Sequence, residues 1–197
     1  AIMVELLGER VSQGFWVSGI PTSEATATLA RRCGIPLTDF DQVGRVDLTI
    51  DGADETDGEL RLIKGGGGAL LREKIVASLS ERMIVIADAS KKVAQLGAFP
   101  LPVEVVPFAA PALLPKLAGL GCEAVLRAGR DGRPFASDEG NLIIDCHFGV
   151  IAEPEDLARE LNAIPGVVEH GLFLGMAERV LLGGAAGVEE LVRSGPQ

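Results

Sequence analysis

Cysteine is sparse in this sequence and patternless. Cys33, Cys122 and Cys146 are odd in number, far apart and without C-x-x-C spacing, so neither a disulfide framework nor a zinc site is supported. Histidine is scarcer still. His147 and His170 sit in separate strand-like runs and read as structural rather than catalytic. A reducing, cytoplasmic setting is the expectation. No apolar run approaches the length of a membrane span, and the opening "AIMVELLGER" is too short and too acidic for a signal peptide. A soluble chain with no membrane partner is therefore expected. Basic charge is in deficit too: 18 Lys and Arg against 28 Asp and Glu leave a formal charge of −10, which argues against a nucleic-acid partner. An anionic substrate would need a local cluster of cations or backbone N–H groups to offset that field. Several named motifs are missing as well. No GK[ST] follows the glycine run, no G-x-G-x-x-G can be read in it, and neither G-x-S-x-G nor H-E-x-x-H occurs anywhere.

What remains is an ordinary globular composition, 47% hydrophobic and 23% charged over 197 residues. That length can bury its own core. The first part alternates strand-like and helix-like segments. "GFWVS" is a short apolar run, and "TSEATATLARRCG" reads as a helix with a Thr/Ser cap and Gly34 as its stop. "RVDLTID" alternates Val46, Leu48 and Ile50 toward the core, and "LRLI" is a further strand. "ALLREKIVASLSER" spaces Leu71, Ile75 and Leu79 along one helix face, and "MIVIADA" reads as a strand covered on both sides. Strands separated by helices predict an α/β fold with a mostly parallel, Rossmann-like sheet.

Beyond "FPLPVEVVPF" the order changes to strand (103–108), helix (111–120), strand (123–128), strand (141–148), helix (154–163) and strand (167–173). That β-α-β-β-α-β order predicts a second, smaller ferredoxin-like α+β domain. The expected division is 1–101 plus 172–197 for the first domain and 102–171 for the second. "AERVLLGG" should return to the first sheet, and "AAGVEELVRSG" should form a terminal helix.

Two stretches carry candidate chemistry. In "IDGADE", Asp51 ends a buried strand at the rim where open α/β sheets bind ligands, and Asp54 returns beside it. Two close carboxylates can share proton work, although an Asp/Gly-rich turn has the same composition. In "KGGGGALLREK", four glycines between a strand and a helix expose backbone N–H groups suited to phosphate or an enolate oxygen. Lys64 ends the strand beside them. Spacing alone makes Glu73 a solvated residue opposite the Leu71/Ile75 side.

Taken together, "DGADE", "KGGGGALLREK", "IADASKK", "FPLPVEVVPF", "GNLIID" and "NAIPGVVEHGLF" resemble the type A ribose-5-phosphate isomerase family, from about Val17 to Gly175. The resemblance implies interconversion of ribose 5-phosphate and ribulose 5-phosphate through a cis-enediolate, with neither metal nor organic cofactor. It implies that Glu73 moves the proton between C1 and C2. Asp51 and Asp54 would contact the sugar hydroxyls, with Gly52 and Ala53 in the same turn. Lys64 and the Gly65, Gly66 and Gly67 amides would stabilise charge on oxygen, and Lys91 would contact substrate. It implies a homodimer or homotetramer as well. The family also carries a phosphate loop and a strand upstream of "VSGIPTS", and this chain, opening at "AIMVELLGER", is expected to lack them. Two rival readings share the fold: a non-catalytic sugar-phosphate-binding module, and a CoA-transferase-like enzyme with a nucleophilic glutamate.

Overall fold

The structure, a computed structural model, describes residues 1–193. In chain order the first elements are α1 (Ile2–Ser12), α2 (Glu24–Arg32), β1 (Thr49–Asp51), β2 (Glu55–Thr56), β3 (Leu62–Ile63), α3 (Leu70–Ser78) and β4 (Met83–Asp88). There follow β5 (Leu101–Val105), α4 (Ala110–Ala118), β6 (Glu123–Leu126), β7 (Leu142–His147), α5 (Pro154–Asn162) and β8 (Val167–His170). The chain then forms β9 (Leu172–Phe173), β10 (Arg179–Gly184) and β11 (Gly187–Val192). None of the described helices is long and apolar enough to cross a membrane.

The main sheet runs β1-β4-β10-β11, with the first three strands parallel and β11 antiparallel at the edge. Its inward face presents Met83, Val85, Val180 and Leu182 to Leu60, Leu62, Ala77, Ala177 and Phe173. The second sheet runs β6-β7-β5-β8, wholly antiparallel, in the order of a ferredoxin-like unit. Val103, Val105, Ile144 and Cys146 of that sheet share a core with Leu113 and Leu117 of α4 and Leu161 of α5. A small antiparallel sheet, β2-β3-β9, takes β2 and β3 from the chain between β1 and β4, and β9 from the chain between β8 and β10. The segment expected as one strand over 167–173 thus divides at Gly171. There an added Cβ would lie 2.3 Å from the Lys64 carbonyl oxygen, so only glycine lets the two backbones approach.

Helix α2 starts as its sequence suggests: Ser23 Oγ accepts the Thr26 N–H at 3.0 Å, and Gly34, at φ +71°, follows the end. Four other expectations are corrected. "GFWVS" forms no strand; the chain there makes only the isolated bridge of Gly19 to Leu37, and Trp16 is 87% exposed. In β1 the inward residues are Thr49 and Asp51, not Leu48 and Ile50. Strand parity places Thr49 beside Met83 on the core face, where its hydroxyl meets Ser80 Oγ at 2.6 Å. By the same parity β4 buries Met83 and Val85 but leaves Ile86 exposed, so it is covered on one face among the described residues. Finally, the expected terminal helix is strand β11, with Ser194 and Gly195 lying outside the described residues. A two-residue turn at Ala185–Ala186, with Gly187 at φ +118°, folds the chain back as a hairpin, and Glu189 and Glu190 pair with Lys92 and Arg179.

Glu55 ties the small sheet to the loop before β5. Its buried carboxylate accepts the Gly97 N–H at 2.7 Å and the Phe99 N–H at 2.6 Å. Glu55→Ala would strand both donors, at roughly 1–3 kcal/mol each. Urea unfolding should show a correspondingly lower midpoint; an unchanged midpoint would refute this role.

Candidate active site

The C-terminal end of β1 delivers Asp51 from the inward face, and the chain turns at once, with the Gly52 N–H donating to Asp51 Oδ1 at 2.7 Å. Ala53 packs against the main-sheet core, and the Asp54 N–H bonds the Ile63 carbonyl at 2.8 Å. Strand β3 returns alongside, and the Lys64 N–H is fixed to the Gly171 carbonyl at 2.9 Å. These backbone bonds bring Lys64 under the aspartate turn.

Lys64 is 3% exposed. Its Nζ donates to the Gly52 carbonyl at 2.6 Å and stands 2.9 Å from Asp51 Oδ2 and 3.2 Å from Glu73 Oε2. Both carboxylate oxygens are within ion-pair distance yet lack hydrogen-bond alignment, and both are buried with no other partner among the described residues. Burial opposes the ammonium, but Asp51 and Glu73 outweigh it and hold Lys64 above its ordinary value. Glu73 moves the other way from an ordinary carboxylate: burial raises it to about 7, Lys64 pulls it back, and Asp51 and Asp54 add to the rise.

The glycine run closes the rim. Gly65 (φ +98°) and Gly68 (φ +81°) take conformations that favour glycine, and the Gly68 N–H bonds the Gly65 carbonyl at 2.9 Å. The Gly66 N–H donates to Asp54 Oδ2 at 2.7 Å; a Cβ on Gly66 would sit 2.6 Å from Asp54 Oδ1. Helix α3 follows directly, with no side-chain cap at Ala69. It buries Leu70, Val76 and Ala77 while exposing Ile75 and Leu79, so the apolar face read from the sequence is not the inward one. Glu73 lies on the inward side with a 15% exposed side chain.

Asp51, Gly52, Asp54, Lys64, Gly65, Gly66 and Glu73 therefore meet in one contiguous cluster, and Gly67 continues it. Lys91 does not join that cluster by contact: it lies on the turn after β4, its Nζ 5.8 Å from the Phe99 ring centroid. Several supporting residues escaped the sequence reading. Lys74, next to Glu73, bonds Glu169 at 2.5 Å and the His170 carbonyl at 2.6 Å, pinning α3 to β8. Lys74 and Lys64 both stand over the Phe173 ring, at 5.0 and 5.4 Å. His170 is held neutral, its value pushed to about 4 by burial and by Lys74. Arg127 of the second sheet reaches the glycine loop. His170 reads as structural from the sequence alone; Lys74 and Arg127 give no local signal, because their partners lie far away in the chain.

The electrostatics lead to a direct check. A carboxyl resonance lost in Glu73→Gln should titrate near pH 7 in the unsubstituted protein, and Lys64→Met should move its midpoint higher, since the ammonium favours the charged carboxylate. A midpoint near 4.5 would contradict the burial described.

Comparison with known proteins converges on one family. The profile of "Ribose 5-phosphate isomerase A (phosphoriboisomerase A)" matches residues 18–187. Ribose-5-phosphate isomerase A of Nitrobacter hamburgensis is 57% identical over 96% of this chain and 84% of its own length. That of Roseiflexus castenholzii is 56% identical over 97% of this chain and 83% of its own. A D-ribose-5-phosphate isomerase solved in complex with phospho-erythronic acid superposes with TM-score 0.93 at 41% identity, covering 96% of this chain and 85% of that one. The enzyme from Methanocaldococcus jannaschii gives 0.90 at 42%, covering 96% and 84%. With 170 consecutive positions matched by the profile and more than half of its residues shared with curated relatives, the chain belongs to the ribose 5-phosphate isomerase A family.

Proposed function

We propose that this protein interconverts D-ribose 5-phosphate and D-ribulose 5-phosphate, with Glu73 as the group that carries the proton between C1 and C2. The family supports the reaction. The observation that carries the assignment is the buried Glu73 carboxylate, raised to about 7, beside the Lys64 ammonium. A general base works best when its pKa lies near the operating pH.

In the open-chain aldose, Glu73 removes the C2 hydrogen and the electron pair moves through C2–C1 to O1. The oxyanion forms next to the Lys64 ammonium and the glycine-loop amides. Each preorganised donor of this kind is worth about 3–4 kcal/mol in the transition state. Asp51 and Asp54 exchange protons with O2 and O1, so that the carbonyl re-forms at C2 while Glu73 returns its proton to C1. Lys91, beyond the contact cluster, is assigned to the distal part of the substrate. The net charge of −10 makes such local cations necessary for an anionic sugar phosphate.

The same reading assigns the protein to the non-oxidative pentose phosphate branch, in the cytoplasm, as a homodimer or homotetramer of two-domain subunits divided near residues 102 and 171. Trp16 and Phe108, 87% and 96% exposed, suit surfaces that self-association would cover. Nothing specific favours a binding-only module or a CoA-transferase-like enzyme. A carboxylate held near neutrality suits proton transfer better than nucleophilic attack, which needs it ionised.

Glu73→Gln should lower kcat roughly 10²–10⁴-fold while phospho-erythronic acid still binds. Retained turnover would reject Glu73 as the base. In the unsubstituted enzyme, kcat/KM should fall as pH drops through about 7, where Glu73 becomes protonated and can no longer accept the C2 hydrogen. A rate that is flat down to pH 5 would contradict the assignment.

A further inference from the structure

The glycine loop is held from two sides. On one, the Gly66 N–H meets Asp54. On the other, Arg127 Nη1 donates to the Gly65 carbonyl at 2.9 Å and to the Gly66 carbonyl at 3.1 Å. Arg127 follows β6, in the ferredoxin-like unit, 61 residues from Gly66 in sequence. Its guanidinium is itself fixed: Nε and Nη2 form a fork on Asp145 of β7, at 2.9 and 2.5 Å, and the Phe135 ring centroid lies 5.8 Å from Cζ. Phe135 also closes the space over Gly68, where an added Cβ would fall 2.4 Å from the ring. The Arg127 side chain is only 14% exposed.

A trans peptide is planar, with its C=O and N–H pointing in opposite directions. Turning the Gly65 carbonyl toward Arg127 therefore turns the Gly66 N–H away from it, and that N–H is the one found on Asp54. The same geometry applies one peptide later. With the Gly66 carbonyl on Arg127, the Gly67 N–H faces the opposite side, and it has no partner among the described residues. Glycine offers no side-chain restraint of its own, so these planes are held by hydrogen bonds alone: the Gly68 N–H on the Gly65 carbonyl, Asp54 on the Gly66 N–H, and Arg127 on both carbonyls. A planar fork that binds a carboxylate with two nitrogens and two carbonyls with the third is something arginine can do and lysine cannot.

We propose that Arg127, anchored by Asp145, is a positioning residue for the isomerisation: it sets the two glycine peptide planes so that the Gly66 N–H stays on Asp54 and the Gly67 N–H faces the substrate oxyanion. The second unit thereby completes the active site of the first without touching substrate. This rests on the reading that the loop stabilises an enediolate oxygen.

The test is steady-state kinetics of Arg127→Gln, Arg127→Lys and Asp145→Asn, with inhibition by phospho-erythronic acid, chosen because its carboxylate is a stable analogue of the enediolate oxygens. Misplaced donors act on the transition state, so kcat should fall roughly 10²-fold in Arg127→Gln with KM little changed. The inhibition constant should rise alongside the loss in kcat. Lysine should fail to rescue, because charge without the fork does not orient two carbonyls, and Asp145→Asn should show a smaller loss of the same kind. A kcat equal to that of the unsubstituted protein in Arg127→Gln, full rescue by lysine, or a change in KM alone would overturn the proposal. If Arg127→Gln does not fold, Asp145→Asn decides: unchanged kcat and inhibition overturn the proposal, and reduced kcat with KM kept supports it. An unsubstituted protein that does not isomerise ribose 5-phosphate would instead overturn the functional reading beneath it.

Discussion

A lysine ammonium buried among a backbone carbonyl and two carboxylates is the interaction on which the rest of this structure turns. Lys64 could not remain charged at 3% exposure without Asp51 and Glu73, and Glu73 could not be buried without a neighbouring cation. The two carboxylates compete for one ammonium whose best-aligned bond is to Gly52. Neither is fully satisfied, and burial, only partly offset by Lys64, raises the Glu73 carboxylate to about 7. Stability and chemistry are in opposition here, and the surrounding backbone bonds maintain the arrangement.

That backbone comes from three sheets. The parallel sheet supplies Asp51 at a strand end, the small β2-β3-β9 sheet sets the height of Lys64 through Gly171, and the ferredoxin-like sheet braces both the glycine loop and α3. The last sheet has two different faces. One packs apolar residues against α4 and α5. The other carries Asp145 and Glu169, which hold Arg127 and Lys74. Helix α3 is thus docked by charged pairs on the side where Glu73 lies. This explains why its buried stripe is not its most apolar one.

Much of the fold was legible because its signals are local. Ser23 as a cap, the apolar run of β4, and the β-α-β-β-α-β order after Pro100 all express short-range preference and periodicity. The faces were harder. Ile50 and Leu79 look like core residues by hydrophobicity, yet strand parity and the docking of α3 put polar groups inward instead. The hairpin to β11 was misread because "GVEELV" satisfies either period, and the turn at Ala185–Ala186 carries only flanking glycines as a cue. For the site, Asp51, Asp54 and the glycines stood out by composition. Glu73 had no physical signal at all, since its burial depends on partners distant in sequence, and only the family resemblance singled it out. Arg127 and Lys74 were invisible for the same reason.

The claim at the centre is that a carbon-bound hydrogen leaves the sugar as a proton, onto a side chain that exchanges with water. Isomerisation in deuterium oxide, followed by proton NMR of the sugars over many turnovers, tests it most directly. The account predicts deuterium accumulating at C2 of ribose 5-phosphate and at one C1 position of ribulose 5-phosphate. Complete conversion with the original hydrogen carried from C2 to C1 in every turnover, with no deuterium entering either sugar, would contradict it.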